Sequence, residues 1–118
     1  MKAVLMISHG SRSQKTKKEV LSLIDQLKQK SKIPIFECAF LEIESPSIPK
    51  GLDLCVQKGA MQIIVLMNFL NAGRHVDQDV PRIVKEAMAK HPSVDFHITS
   101  PVGQYPGIRD FFLDLIKS

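Results

Sequence analysis

What this chain lacks narrows its function first. Its 118 residues hold no tryptophan, one tyrosine and six phenylalanines, so aromatics are only 6% of the sequence. An RNA-binding face needs basic residues interleaved with stacking rings, and no such stretch can be traced. Cysteine is scarce too. Cys38 and Cys55 lie in apolar stretches without CxxC or other metal-site spacing, so they read as buried free thiols in a reducing compartment. No apolar run approaches the ~20 residues of a transmembrane helix, and the strand-like run after Met1-Lys2 is too short for a signal-peptide core. A cytoplasmic chain is therefore expected, with neither nucleic acid nor membrane as partner. Neither charge sign dominates. Sixteen Lys and Arg stand against twelve Asp and Glu, a net charge of +4 that suits an acidic small molecule without dictating one. Lys15, Lys17 and Lys18 form the only tight basic group and read as the solvated first turn of a helix. Linkers, repeats and low-complexity tracts are absent as well. The chain reads as one domain, 1–118, with room for a real core and a modest cleft.

What is present is an alternation of strand and helix patterns. Residues 3–8 and 62–67 are short continuous apolar runs, as expected of strands covered on both faces. Residues 33–40 and 94–99 alternate more and suit positions nearer a sheet edge, where Pro34 is tolerable. Between them, Val20, Leu23, Ile24 and Leu27 follow helical spacing, with Leu21 widening the stripe. Val80, Ile83, Val84, Ala87 and Met88 repeat it, as do Ile108, Phe111, Phe112, Leu115 and Ile116. The weakest pattern is 47–58, where Ile48, Leu52, Cys55 and Val56 line up, Pro49 fits the first turn and Gly59 can end it. The order is β-α-β-α-β-α-β-α. Right-handed crossovers turn it into a four-stranded parallel sheet with helices on both faces.

Ligands of such sheets bind in the crevice beyond the carboxyl ends of the strands. His9 follows the first strand directly, in Ser8-His9-Gly10-Ser11-Arg12. Gly10 and Ser11 let the backbone turn sharply, and the helix that follows can present N–H groups to an anion. A purely structural hydrogen bond is the alternative for His9. The histidine phosphatase signature does not apply, because it requires arginine where this chain has Ser8. His75 follows the third strand through Asn68-Phe69-Leu70-Asn71-Ala72-Gly73-Arg74, in a loop expected just before the third helix. Two imidazoles at one cleft can hold a divalent metal or move protons near neutral pH. Asp77 or Asp79 suits the start of that helix as a cap, with Pro81 in its first turn. A hydrogen bond from His75 to a carboxylate, fixing the imidazole tautomer, is the second reading. Glu42 and Glu44 end the second strand on the same rim, which completes a His-Glu-His set. His91 reads as favouring a helix C-terminus, and His97 as packing or surface.

Three segments in register resemble a known family. They are His9-Gly10-Ser11-Arg12, Phe40-Leu41-Glu42 with Pro46-Ser47-Ile48, and Phe69-Leu70-x-x-Gly73-x-His75-x-x-x-Asp79-x-Pro81. Together with Pro101-Val102-Gly103 they look like the short, ATP-independent sirohydrochlorin chelatases, over nearly the whole chain. Ser8 stands where the family often has glycine, and Met67-Asn68 replaces a more usual proline and apolar residue. The histidine-rich insertion of some relatives is absent. The resemblance implies a flavodoxin-like, chelatase-type α/β fold. It also implies insertion of Co²⁺, Ni²⁺ or Fe²⁺ into sirohydrochlorin or a related tetrapyrrole, for cobalamin, sirohaem or a related cofactor. Carried over by motif, His9 and His75 hold the metal, His9 also accepts pyrrole protons, and Glu42 is an auxiliary carboxylate. The segment Leu70, Asn71, Ala72, Gly73, Arg74 and His75 lines the macrocycle, with Ser45 on the opposite wall. No prosthetic group is implied; the metal ion is a substrate.

Elementary chemistry supports the same reading. Metallation removes two pyrrole protons, and a neutral imidazole, titrating near about 6.5 when free, is an apt acceptor. Two neutral nitrogen ligands bind such ions without closing the coordination shell. Arg12 and Arg74, placed near the cleft, favour a polycarboxylate. A tetrapyrrole is a broad disc, and one small rim cannot enclose it. Longer relatives look like two such units in tandem, so a two-fold homodimer with facing rims is expected, with Phe69, Leu70 and Met67 lining or flanking its cavity, and core burial the alternative for Met67. The competing readings are a non-catalytic metal or tetrapyrrole carrier and an interaction module whose histidines are incidental.

Overall fold

In the computed structural model, residues 1–117 are described, except for the side chain of His75, which lies outside the described residues. Four strands and four helices alternate along the chain. β1 (Lys2–Ser8), β2 (Ile35–Phe40), β3 (Gln62–Met67) and β4 (Asp95–Ile98) form one parallel sheet in the order β2-β1-β3-β4. The two apolar-run strands, β1 and β3, are the central pair, and the two alternating strands are the edges, as their patterns require. β1 pairs in register with both neighbours, Ser8 opposite Phe40 and Ile7 opposite Met67, so three strand ends finish level on one rim.

The helices are α1 (Gln14–Ser31), α2 (Ile48–Gln57), α3 (Val80–Lys90) and α4 (Ile108–Lys117). α1 is capped by Ser13, whose hydroxyl accepts from Thr16 N at 3.4 Å, and ends at Lys32 in a left-handed conformation. α2 starts at the Ser47 cap, with Pro49 in its first turn, and is the best seated of the four. Its faint pattern therefore misstates its weight, because Ile48, Leu52 and Cys55 are all buried. α2 and α3 cover one face of the sheet and close over Ala3, Leu5, Ile7, Ile63, Val65 and Met67. α1 covers part of the other, where Val4, Met6, Ile24 and Phe36 meet.

Three expected helix faces are corrected by what lies opposite them. On α1 only Ile24 is buried, with Val20 and Leu27 partly so, while Leu21 and Leu23 are exposed. On α3 Met88 is likewise exposed. α4 buries no residue at all, although its apolar stripe is the most complete. Helical spacing says which side is apolar; only tertiary packing says whether anything covers it. Cys55 is buried, and burial pushes its thiol up to about 12; Cys38 is half-buried, and burial with the neighbouring Glu37 raises it too.

Candidate metal and tetrapyrrole site

The rim at the carboxyl ends of β1, β2 and β3 is tied together strand to strand. Leu41 N donates to Ser8 O at 2.9 Å, Glu42 N to His9 O at 3.1 Å and Asn68 N to Ile7 O at 2.9 Å. Ser8 is buried, and its hydroxyl accepts from Asn68 Nδ2 at 3.0 Å. A buried hydroxyl is stable only when so partnered. The Ser8–Asn68 pair, which the sequence reading took as two departures from a family pattern, therefore locks β1 to the loop after β3. Gly10 is required at its place: its φ is +99°, and a Cβ there would lie 2.0 Å from Glu42 O.

His9 is exposed at the tip of β1. Its ring stands edge-on to Phe69, with centroids 4.7 Å apart and planes at 82°. Phe69 is itself 3% exposed, and its carbonyl accepts from Gly103 N at 3.1 Å. A packed ring on a braced backbone thus sets the direction of the imidazole. No spacing in the sequence announces this contact; an aromatic just past a strand end was the only hint.

His9 opens onto a cavity of about 250 Å³ lined by His9, Leu41, Glu42, Asp79, Arg82 and Ile83. The expected pairing of His9 with Glu42 at one cleft is present. Glu44, by contrast, is occupied: its Oε2 accepts from Ser11 N at 2.9 Å and holds the turn after His9. Ser11 N is taken by Glu44, Ser13 N by the Ser11 hydroxyl and Thr16 N by the Ser13 hydroxyl.

The approach to α3 differs from the expected loop and cap. His75–Asp79 form a π-helical turn that runs straight into α3, and Asp77 N donates to Gly73 O at 2.7 Å. Asp79 does not cap α3 with its side chain. Its carboxylate lies 3.7 Å from Arg82, one turn on, and both face the cavity. Arg82 also lines the cavity, and nothing in its sequence surroundings singles it out, since it lies off the apolar stripe of its helix. The backbone of His75 opens the π turn, while its side chain, assigned as second metal ligand and oriented by a carboxylate, falls outside the described residues. Among the described residues no three His, Cys, Asp or Glu side chains gather as a metal site.

The remaining expected residues are placed plainly. Leu70, Asn71, Ala72, Gly73 and Arg74 are exposed on the rim, as are Arg12 and Ser45, and none of these lines the cavity. Ser45 precedes a cis peptide bond to Pro46. Met67, read either as flanking the cavity or as core, is core at 1% exposure. His91 caps the end of α3 and also lies 3.2 Å from Asp53 on α2, and His97 is exposed on β4.

This fold, with a histidine and a carboxylate on the rim of a β2-β1-β3-β4 parallel sheet, is that of the α/β chelatases. Residues 3–118 match the CbiX family, and the chain belongs to it. It is 32% identical over 114 residues to the chloroplastic sirohydrochlorin ferrochelatase of Arabidopsis thaliana, covering 97% of this chain and 51% of that protein. It is 33% identical over 84 residues to the sirohydrochlorin cobaltochelatase of Methanocaldococcus jannaschii, covering 71% of this chain and 59% of that one. Among solved structures, the cobalt complex of the sirohydrochlorin chelatase SirB from Bacillus subtilis subspecies spizizenii superposes with a TM-score of 0.87. The two are 28% identical over 98% of this chain and 50% of SirB. The chain thus spans about half the length of these relatives.

Proposed function

We propose that this protein inserts a divalent metal ion, Co²⁺, Ni²⁺ or Fe²⁺, into sirohydrochlorin or a related tetrapyrrole without ATP. The observation that carries the reading is His9, set by Phe69 and sharing a rim cavity with Glu42, in a chain of the CbiX family. The ion is a substrate, and no prosthetic group takes part. In this reading His9 and His75 present the ion, and His9 accepts pyrrole protons as the nitrogens take the metal. Glu42 serves beside them as the auxiliary carboxylate. The macrocycle lies along Leu70–Arg74, with Ser45 on the facing wall. Arg12, Arg74 and Arg82 offer cations to its carboxylates; of these only Arg82 lines the cavity.

A cavity of about 250 Å³ is below the usual size for even a drug-sized ligand. Two copies of this chain with facing rims make a site of sufficient breadth, so the working form in this reading is a two-fold homodimer. No helix among the described residues is long and apolar enough to cross a membrane, and the cytoplasm is the proposed compartment. Mixing purified protein with sirohydrochlorin and each ion, and following absorption, tests the assignment. Multiple turnovers support a chelatase. A stoichiometric complex makes the protein a carrier instead, and an unchanged spectrum rejects both.

A further inference from the structure

On the rim, Ile43 holds a backbone conformation that its own side chain opposes. Its φ is +70°, in the left-handed region, where a β-branched residue is strained and glycine or asparagine is usual. Glu44 N donates to Glu42 O at 2.7 Å across it, which closes a three-residue turn of the kind that is rare and strained at positive φ. Such a conformation survives only where its surroundings fix it, as they do here. Leu41 N donates to Ser8 O, Glu42 N to His9 O and Ser11 N to the Glu44 carboxylate. Phe40 N donates to Pro46 O at 2.9 Å and closes the loop at its base. The strain serves no core: Ile43 is 60% exposed and belongs to neither packed side of the sheet. Glycine or asparagine would hold the same turn without the penalty, so the turn alone does not account for an isoleucine.

We propose that Ile43 is a substrate-contacting residue, its side chain bearing on the apolar face of the tetrapyrrole beside His9; this rests on the chelatase reading and adds a contact to it. A tetrapyrrole carries its carboxylates on its edge, whereas its face is a conjugated apolar surface. A metal ion reaches the central nitrogens only through that face. A histidine that hands the ion over therefore stands against the face, and the residues flanking that histidine meet apolar surface. The strand order β2-β1-β3 places the segments after β2 and after β3 on opposite sides of His9. The exposed apolar residue after β2 is Ile43, and after β3 it is Leu70, each at 60%. Leu41 and Phe69, close by in the same segments, pack against the core instead. Glu42 lines the cavity and Glu44 braces the turn after His9. Ile43 stands between them, and its positive φ lets all three keep their places. A single exposed apolar side chain is ordinary on a protein surface; one kept in a strained turn beside a candidate metal ligand points to a use.

Two substitutions separate the side chain from the turn. Ile43→Asn suits the left-handed region but is polar, whereas Ile43→Leu keeps the apolar surface. Binding of metal-free sirohydrochlorin is followed by its absorption spectrum, with urea unfolding and sedimentation alongside. Ile43→Asn is expected to unfold at a higher urea concentration than wild type, yet to bind about tenfold more weakly, because an apolar contact is lost. Ile43→Leu is expected to bind within about threefold of wild type. Stability gained while affinity falls is a result that a residue serving only the fold does not give. Should Ile43→Asn fail to fold, Ile43→Gly takes its place with the same expectations. Variants that bind alike overturn the contact, and so does a loss of stability and affinity together, which assigns Ile43 to the fold. A changed sedimentation of Ile43→Asn overturns it too, by placing Ile43 between two copies. In each of these cases a wild type that binds sirohydrochlorin leaves the chelatase reading standing. A wild type that leaves the spectrum unchanged overturns both.

Discussion

The two faces of the sheet are built from alternate residues of the same strands, yet they end in different states. Toward α2 and α3, Ala3, Leu5, Ile7, Ile63 and Val65 are wholly buried. Toward α1, Val4 and Met6 are buried, while Ile64 and Leu66 stay partly open beside an apolar trough. Strand chemistry is the same on both sides, so the difference lies in the helices. α2 sits so close that a Cβ on Gly51 would come within 2.9 Å of Ala39 and Leu5. The π turn and α3 bring Asp79 and Arg82 to the cavity from the same layer. The sealed face is thus the platform that holds the rim, and the open face leaves apolar surface uncovered.

Substitutions should separate the faces sharply. Leu52→Ala removes a wholly buried side chain from α2 and is expected to cost about 2–5 kcal/mol in urea unfolding, as cavities in packed cores do. Leu23→Ala, on the exposed part of α1, is expected to change stability by no more than about 0.5 kcal/mol. Equal losses at the two positions would break the comparison.

Gly10→Ala acts at the rim itself. Its φ of +99° and the approach to Glu42 O leave no room for a methyl group, so β1 and β2 must part where His9 and Glu42 meet. The expected loss exceeds about 1 kcal/mol, and metal insertion should fall with it. Wild-type stability and turnover in this variant would show that the rim is looser than its hydrogen bonds imply.

A smaller effect is expected between the layers. Asp53 of α2 is held below the usual carboxylate range, first by the His91 hydrogen bond, which outweighs the opposing effect of burial, and then by Lys90. A depressed carboxylate stabilises the fold above its unfolded value and loses that contribution as pH falls through the folded one. Asp53→Asn should therefore cost about 0.5 kcal/mol near neutrality, a surface-pair magnitude, and nothing in strong acid. A cost that persists unchanged into acid would assign the effect to packing.

Much of this architecture was legible in the sequence because strands and helices bury fixed periods. The central and edge strands, the four helices and the placing of His9 and Glu42 on one rim all follow from it. What was illegible depends on partners distant in sequence. Nothing local singles out Arg82, off the apolar stripe of its helix, until α3 brings it to the cavity. Phe69 becomes a support for His9 only once β1 and β3 lie side by side. Ser8 and Asn68 are sixty residues apart yet satisfy one another. Asp79 looks like a cap because nothing local announces a π turn. The stripe of α4 is correct as a pattern and uncovered in the chain, since periodicity carries no information about what lies across from it.

The central claim is that the rim histidine performs the metal insertion while the histidine in the sealed layer only supports the fold. The most direct test compares His9→Ala and His91→Ala in sirohydrochlorin turnover at saturating metal, from about pH 5 to 8, with unfolding measured alongside. A protonated imidazole neither binds metal nor accepts a proton. Wild type and His91→Ala are therefore expected to gain activity as pH rises, and His9→Ala to be folded and inactive throughout. A folded His9→Ala enzyme that keeps wild-type turnover and the same pH profile would contradict the account.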